Sequence, residues 1–367
     1  MTTLPAMEVV SRASRLRERL ADAGCEALLV TTLANIRYLT GFGGSAALLL
    51  VLPDGLVFLT DGRYGGQAGE QLAAAGVEAR IEVGNAKDQQ AGAVRAATGV
   101  ARLGLEAGNV TWARQRAMAA EWFPDAELVP TEGLVEGLRQ VKDAGEVARI
   151  EQACAVAAEA LDAVRGMLAQ RPRERDVAVE LDSEMRRRGA SGPSFETIVA
   201  SGPNGAKPHA RPGDRVIEEG DLVVVDFGAT VDGYCSDTTR TFVVGEWPSE
   251  TARRMYEVVA QSQALGVEAL RAGVECAAVD RACRQVIAEA GWGEAFLHST
   301  GHGVGLDIHE APWVASTAGG SLVAGNVVTV EPGVYLPEHG GVRIEDTVVV
   351  TSDGRRSLTI SSKDPIV

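Results

Sequence analysis

Apolar and polar positions in the first third of the chain switch repeatedly between the helical and the strand period. A helical pattern over residues 8–23 is followed by short apolar runs, and Pro53-Asp54 between two of them is a turn signal. The predicted strands are EALLV (26–30), AALLLVL (46–52), GLVFLT (55–60), EARIEV (78–83) and RLGLEA (102–107), the later ones separated by alanine-rich helical stretches. This alternation predicts an α/β layer domain over residues 1–135.

From about Lys142 a different order of elements begins, and it occurs twice. Each copy reads helix, helix, strand and then two further apolar strands. The first copy comprises residues 146–170, 173–188, 196–201, 222–229 and 234–244, and the second comprises 250–271, 275–290, 296–303, 326–335 and 342–350. The copies lie about 105 positions apart, which indicates a duplicated half-domain rather than a solenoid. We therefore expect an α+β domain over residues 142–367 with an internal pseudo-two-fold duplication.

Composition narrows the class of protein. The 367 residues suffice for two domains, and 46% of them are hydrophobic. With 50 acidic against 35 basic residues, the chain lacks the basic surface that a nucleic acid requires. The N-terminus lacks the features of a secretory signal, and no apolar run approaches the ~20 residues needed to cross a bilayer. Five cysteines without CxxC spacing predict free buried thiols and a cytoplasmic protein.

Two acidic residues interrupt the apolar strands of the first copy. Asp226 lies within LVVVDFGA, and Asp237 follows eleven residues later, with the turn signal Asp232-Gly233 between them. If the turn centres between residues 231 and 232, the two acids stand directly opposite, with one place of slippage allowed. Like charges on directly opposed residues are destabilising.

The second copy repeats this arrangement. Glu331 interrupts NVVTVEPGVY, and Glu345 lies fourteen residues later, with the midpoint at Glu338 in a polar connection. We therefore expect Glu331 and Glu345 to face each other. Solvent exposure is the ordinary explanation for any one such acid, but it explains two facing pairs poorly. Buried carboxylates need either protons or bound cations, and we favour cations because desolvating each ion costs several kcal/mol.

The histidines point to the same place. Three of the five, His298, His302 and His309, fall within twelve residues around a glycine-rich predicted strand. His298 and His302 share strand parity and should point to one face. A set of four carboxylates and one imidazole suits Mn²⁺ first, with Co²⁺, Fe²⁺ or Zn²⁺ as alternatives. It also exceeds the needs of one ion and fits two bridged divalent ions.

The five candidate ligands resemble those of a known enzyme family. Asp226, Asp237, His302, Glu331 and Glu345, in the contexts VDFG, SDTTRTF, TGHGVGL, VEPGVY and VRIED, look like the ligand set of the pita-bread metallopeptidases. That family includes methionine aminopeptidase, aminopeptidase P and prolidase. The resemblance covers roughly residues 142–360 and implies a pita-bread catalytic domain that holds two divalent metal ions.

Accessory residues follow from the same resemblance. His209 resembles the histidine that contacts substrate near the metals, and His298 and His309 resemble the pair that orients the substrate carbonyl and shuttles protons. Arg343 occupies the place of an arginine near the ligand network of proline-cleaving members. The implied mechanism is attack by a metal-activated hydroxide, with Glu331 taking the proton and passing it towards the leaving proline nitrogen.

The first 135 residues and the segment FLTDGRYGGQA (58–68) resemble the creatinase-like N-terminal domain of aminopeptidase P. The resemblance implies release of residue one from peptides with proline in second position, and a homodimer. Prolidase, which cleaves Xaa-Pro dipeptides, is the nearest alternative. A non-catalytic relative that holds peptides or partner proteins is a third hypothesis, but such proteins usually lose ligands. A non-haem iron oxygenase is disfavoured, because it needs two histidines and one carboxylate.

Overall fold

Six strands form one mixed sheet in Ala6–Arg139, the first of two units into which the chain divides. The computed structural model describes residues 4–367. The strands are β1 (Ala27–Val30), β2 (Ala47–Val51), β3 (Leu56–Thr60), β4 (Arg80–Val83), β5 (Arg102–Glu106) and β6 (Glu127–Thr131). The helices are α1 (Arg12–Leu20), α2 (Leu33–Thr40), α3 (Gly65–Ala74), α4 (Ala86–Ala96), α5 (Trp112–Ala117) and α6 (Glu136–Arg139). The predicted α/β layer architecture is therefore confirmed.

The strand order of this sheet is β4-β3-β2-β1-β5-β6. The β1–β2 and β2–β3 pairs are antiparallel, whereas β3–β4, β1–β5 and β5–β6 are parallel. Every residue of β1 and β3 is buried. Strands covered on both faces are expected to read as continuous apolar runs rather than as alternating ones, as EALLV and GLVFLT do.

The second unit, built on Gln140–Val367, contains the duplicated elements. Its helices are α7 (Ala144–Val164), α8 (Glu174–Arg187), α9 (Glu250–Ala269) and α10 (Cys276–Glu289). The strands of its first half are β7 (Gly192–Pro193), β8 (Ile198–Ser201), β9 (Leu222–Phe227), β10 (Ala229–Val231), β11 (Tyr234–Cys235) and β12 (Thr238–Val243). Those of its second half are β13 (Gly301–Gly303), β14 (Glu310–Val314), β15 (Val327–Val330), β16 (Gly333–Leu336), β17 (Gly340–Arg343), β18 (Asp346–Val350) and β19 (Arg355–Ser357).

Each half of this unit packs its helix pair mainly against its own strands, and Leu222 and Val243 of the first half join the cluster of the second. One buried apolar cluster joins α7 and α8 to β8, β9 and β12, and another joins α9 and α10 to β15, β16, β17 and β18. A capping box of Asp143 and Glu146 begins α7, which fixes where the helical layer starts. Within the described part of the chain, none of the helices has the apolar length required to span a bilayer.

Asp232 and Gly233 form the two-residue turn of the first hairpin, with φ of 44° and 76°. Positive φ at both central residues is the type I′ geometry that Asp-Gly favours. Val231 therefore pairs with Tyr234, and the turn centres between residues 232 and 233. The expected centre between 231 and 232 is wrong by one place.

This shift changes the neighbours of the first acid pair. The residue opposite Asp226 is Thr239, not Asp237 as expected. Asp237 precedes β12 by one residue and is only 5% exposed. The two acids still line one cavity, so the correction concerns their register and not their proximity.

The second acid pair has the expected register. Val330 pairs with Asp346 on one side, and Gly333 pairs with Arg343 on the other. Both ladders keep the same register, so Glu331 and Glu345 occupy the opposed positions between them.

The prediction of a single strand over residues 296–303 is wrong. Only Gly301–Gly303 form β13, and His298 lies in irregular backbone before it. Polar backbone groups of this segment bond to side chains of α10 instead of a neighbouring strand: Arg284 donates to the carbonyl oxygen of Phe296 and Asp280 accepts from the N–H of Thr300. The parity argument for His298 and His302 therefore fails, although both side chains line the same cavity.

Candidate metal centre

The five predicted ligands come together from five places in the second unit. Asp226 lies in β9 and Asp237 just before β12, while His302 lies in β13. Glu331 directly follows β15, and Glu345 directly precedes β18. Ligand atoms of Asp237, His302 and Glu345 all lie within 4.8 Å of one another, and all three residues are buried.

His302 presents a ring nitrogen to the acids. Its Nδ1 lies 3.0 Å from the carbonyl oxygen of Gly303, which can only accept a hydrogen bond. That contact places the proton of a neutral ring on Nδ1 and leaves the lone pair of Nε2 facing outwards. Nε2 lies 3.5 Å from Oδ2 of Asp237 and 3.4 Å from Oε1 of Glu331. A lone pair opposite two carboxylates is stable only with a proton or a cation between them.

Two carboxylate oxygens without a partner favour a bound cation. Oδ1 of Asp226 and Oε1 of Glu345 are buried, and neither has a hydrogen-bond partner among the described residues. Their sister oxygens are bound, Oδ2 of Asp226 by Arg343 at 2.6 Å and Oε2 of Glu345 by Thr239 at 2.7 Å. A buried unpaired acceptor is destabilising, and a hard cation would satisfy both. The residues present therefore fit divalent metal ions.

The protein groups alone do not keep all of these acids ionised. Burial, together with the negative charges of Glu345, Asp226 and Glu331, raises the pKa of Asp237 well above its usual range. Burial and the charges of Glu331 and Asp226 likewise raise the pKa of Glu345. Burial also acts to raise the pKa of Glu331, but His302 in its protonated form outweighs it through a hydrogen bond and a positive charge, and lowers that pKa to about 2.

A chain of hydrogen bonds connects Asp226 to His298. Arg343 donates to Asp226 from Nη2 and to the hydroxyl of Tyr335 from Nη1 at 2.7 Å. The Tyr335 hydroxyl lies 2.8 Å from Nε2 of His298, and Nδ1 of His298 lies 2.8 Å from the carbonyl oxygen of Ser299. Since Arg343 only donates, the tyrosine hydrogen is available to His298. Both ring nitrogens of His298 are thus engaged by the protein.

Burial favours the same protonation states of His298 and Tyr335. It lowers the pKa of His298, which keeps the ring neutral with its proton on Nδ1. Burial also raises the pKa of Tyr335 to about 12, so the hydroxyl remains protonated. His298 is therefore arranged to hold Tyr335 and Arg343 rather than to reach a substrate.

A cavity of about 620 Å³ opens above the acids. His209 and His309 line it, and no protein atom among residues 4–367 hydrogen-bonds to either ring. The His309 ring packs edge-on against His302, with 4.4 Å between ring centroids. Burial and the neighbouring His302 lower the pKa of His309. A neutral imidazole facing a cavity can donate one hydrogen bond to a ligand.

The sequence did not single out three residues of the site. Tyr335 and Thr239 lie within the motifs VEPGVY and SDTTRTF and do not stand out there. In the structure, the first connects Arg343 to His298 and the second binds both Arg343 and Glu345. Trp313, half exposed, forms part of the cavity wall. His339, given no role, is exposed and lies outside this cavity. Side chains next to a carboxylate cluster can be recognised as part of the site only when the strand register is known.

Comparison with known proteins agrees with a metal-dependent peptidase fold. The profile of metallopeptidase family M24 matches residues 148–352, and that of the creatinase/prolidase N-terminal domain matches residues 12–141. A Bacillus subtilis protein described as uncharacterized peptidase YqhT is 42% identical over 353 residues, 96% of this chain and 99% of that protein.

Solved structures of Xaa-Pro peptidases share the fold of the whole chain. Xaa-Pro dipeptidase from Bacillus anthracis superposes with a TM-score of 0.92 at 39% identity, covering 97% of this chain and 99% of that one. X-Pro aminopeptidase from Thermotoga maritima MSB8 superposes with a TM-score of 0.88 at 33% identity, covering 97% of this chain and 100% of that one.

Proposed function

The chain belongs to metallopeptidase family M24, and from that premise we propose that it releases residue one from peptides with proline in second position. The observation that carries the proposal is the group of four carboxylates and one imidazole beside an open cavity, which is lined by Asp226, Asp237, His302 and Glu331. Relatives described as Xaa-Pro dipeptidase and X-Pro aminopeptidase support the choice of the bond before proline.

Two divalent cations would be held by Asp226, Asp237, His302, Glu331 and Glu345. The unpaired oxygens of Asp226 and Glu345 and the lone pair of His302 support this assignment. An oxygen-rich set with one imidazole suits Mn²⁺ first, then Co²⁺, Fe²⁺ or Zn²⁺. When bound, such cations supply the Lewis acidity that makes water nucleophilic near neutral pH and polarises a carbonyl oxygen.

Glu331 is the proposed general base. Its side chain is 16% exposed and lines the cavity, whereas Glu345 does not reach the cavity. Its Oε1 accepts a hydrogen bond from Thr329 at 3.2 Å, which orients the carboxylate. A carboxylate so placed can take a proton from the attacking water and deliver it to the leaving proline nitrogen.

His309 is the proposed donor to the oxygen that gains negative charge during the reaction. The sequence left this role to His298 or His309. The engaged ring nitrogens of His298 favour His309, whose ring is not bound by the protein among the described residues. A donor fixed by packing against His302 needs little reorganisation as charge develops. His209, which also lines the cavity, would contact the peptide.

Charges along the cavity favour peptides longer than two residues. A dipeptide carries its carboxylate next to the bond to be cleaved and needs a nearby cation. Arg343 is buried and already binds Asp226 and Tyr335. Arg211 is exposed on the rim, where Glu196 lies 3.4 Å away and offsets its charge. Dipeptide hydrolysis remains the second candidate because a structural relative at TM-score 0.92 is described as an Xaa-Pro dipeptidase.

A direct comparison of substrates tests the proposal. Purified protein is supplied with Mn²⁺ and assayed with Ala-Pro, with Ala-Pro-Ala and with Ala-Ala-Ala at equal concentrations. We expect alanine release from Ala-Pro-Ala, less from Ala-Pro and almost none from Ala-Ala-Ala. Cleavage of Ala-Pro alone would replace the aminopeptidase by a dipeptidase. Equal cleavage of Ala-Ala-Ala would refute the requirement for proline.

A further inference from the structure

A fully buried carboxylate, Glu174, begins helix α8 outside the metal centre. Its Oε1 accepts hydrogen bonds from the backbone N–H and the hydroxyl of Ser201, both at 2.8 Å, and from Nδ2 of Asn204 at 3.0 Å. Its Oε2 accepts from the N–H of Gly213 at 3.0 Å and from Asn204 at 3.1 Å. One carboxylate thus binds both ends of the segment 201–213.

This segment carries one side of the cavity. His209 and Arg211 lie in it, and both line the cavity above the acids. Most of the segment has no regular secondary structure beyond one 3-10 turn, Gly202–Ala206. Between its ends, Gly205 packs closely against the backbone of Gly341, and Arg343 donates to the carbonyl oxygen of Pro208 at 3.3 Å. Beyond His209, the segment is bound to Glu174 through the N–H of Gly213, so the position of His209 depends in part on this carboxylate.

The second half of the unit contains a comparable arrangement. Asp280 in α10 is fully buried, and its Oδ1 accepts from the N–H and the hydroxyl of Thr300 at 3.1 and 2.8 Å. Its Oδ2 accepts from Arg284 at 2.7 Å, and Arg284 also donates to the carbonyl oxygens of Phe296 and His298. The carbonyl oxygen of Thr300 in turn accepts from the N–H of Glu331 at 2.8 Å.

In both halves, then, one oxygen of a buried helical carboxylate accepts from the N–H and the hydroxyl of the same serine or threonine. We propose that Glu174 and Asp280 are positioning residues, Glu174 for the His209 segment and Asp280 for the segment that carries His298 and supports Glu331. The inference rests on the proposed function, because it assigns substrate contact to His209 and proton transfer to Glu331. Neither carboxylate reaches the cavity itself.

Substitution of Glu174 and of Asp280 should have different kinetic effects, because the two carboxylates hold different segments. Glu174→Gln keeps the shape but replaces one accepting oxygen by a donating amide, so an N–H of Ser201 or Gly213 loses its partner. The side chain of residue 174 then holds the His209 segment at one end only, although Ser201 stays paired with Val223 in the sheet. We expect KM for Ala-Pro-Ala to rise about tenfold, with kcat changed by less than about twofold. Asp280→Asn should instead lower kcat about tenfold, with little change in KM.

Amide hydrogen exchange tests the anchoring without reference to activity. In Glu174→Gln without substrate, the amides of residues 202–213 should exchange at least about tenfold faster than in the wild type. The amides of residues 298–302 should exchange as in the wild type. In Asp280→Asn, the amides of residues 298–302 should exchange faster and those of residues 202–213 should be unchanged. Asp176→Asn, an exposed acid on the same helix as Glu174, is the matched control and should change neither kinetics nor exchange.

Each outcome decides one question. Unchanged exchange over 202–213 in Glu174→Gln would overturn the anchoring role, whatever the kinetics show. Faster exchange without the rise in KM would overturn the link from the anchor to substrate binding. Absence of Ala-Pro-Ala hydrolysis by the wild type would instead refute the proposed function. If Glu174→Gln does not fold, Ser201→Ala and Asn204→Leu remove the same bonds singly and should give smaller changes of the same sign.

Discussion

Replacing Arg240 by methionine should destabilise the second unit more than any surface substitution. Arg240 is 1% exposed, and each of its five N–H groups has an acceptor. These acceptors are the carbonyl oxygens of Thr239 (2.9 Å), Glu345 (2.5 Å), Ser361 (2.8 Å) and Ser362 (3.0 Å), and Oδ1 of Asp346 (2.8 Å). The guanidinium therefore joins β12, β18 and the segment 361–362.

The magnitude follows from the acceptors left behind. A buried acceptor without a donor is destabilising by about 1–3 kcal/mol. Thr239, Glu345 and Asp346 are buried, while Asp346 keeps the bonds from Gln263 and Lys363. The carbonyl oxygen of Thr239 keeps the N–H of Glu345 at 3.1 Å, so it loses one of two donors. That loss, one carbonyl oxygen left without a donor at Glu345 and a weakened ion pair give a loss of about 2–4 kcal/mol. At roughly 2–4 °C per kcal/mol for a unit of this size, the midpoint of thermal unfolding should fall by about 4–16 °C.

Thermal unfolding in the presence of a chelator measures the effect without a contribution from bound cations. Arg253→Met is the matched control, because Arg253 lies on α9 with its side chain 44% exposed and pairs only with Glu250 and Glu257 there. Its loss should change stability by less than about 1 kcal/mol. Arg240→Lys should have an unfolding midpoint between those of the wild type and Arg240→Met, because an ammonium has three donors and lacks the planar geometry of a guanidinium. Equal midpoints for Arg240→Met and Arg253→Met would refute the reasoning.

Three further substitutions or treatments test the site and the core. Tyr335→Phe removes the hydroxyl between Arg343 and His298 and should lower kcat/KM about 10–100-fold at unchanged metal content, as checked by steady-state kinetics and metal analysis. Asp237→Asn should abolish stabilisation by Mn²⁺ yet raise the unfolding midpoint of the chelated protein, because it removes one of the clustered negative charges. Burial raises the pKa of Cys154 and Cys283 to about 12 and that of Cys235 to about 11. At pH 8 the native protein should therefore react with almost no thiol reagent, and after denaturation with five equivalents.

The metal centre was accessible to sequence reasoning because its residues break a strong pattern. Acids inside apolar strands stand out in any register, so the pattern indicates Asp226 and Glu331 without knowledge of their neighbours. The Glu331–Glu345 register also followed from counting, because both ladders beside the pair keep one uninterrupted register. The first hairpin shows the limit of that method. The Asp-Gly pair predicts the hairpin, but a turn centred on the midpoint of the two acids lies one place before Asp232-Gly233, the two residues that form the turn.

Other features depend on contacts that no local pattern contains. Residues 296–300 have the composition of a strand, but side chains of α10 bind the carbonyl oxygen of Phe296 and the N–H of Thr300 in place of a strand ladder. The role of Tyr335 likewise depends on Arg343 and His298, which reach it from a neighbouring strand and from irregular backbone. Tertiary contacts thus override the strand propensity of residues 296–300. They also create the hydrogen bonds that give Tyr335 its role.

The central claim is that divalent cations balance the buried carboxylates of Asp226, Asp237, Glu331 and Glu345. Metal analysis of the protein purified without chelator, combined with the Ala-Pro-Ala assay, tests it most directly. We predict two divalent ions per chain, loss of both ions and of activity on dialysis against chelator, and recovery of activity with Mn²⁺. Full activity in a preparation that holds no divalent ion would contradict the claim.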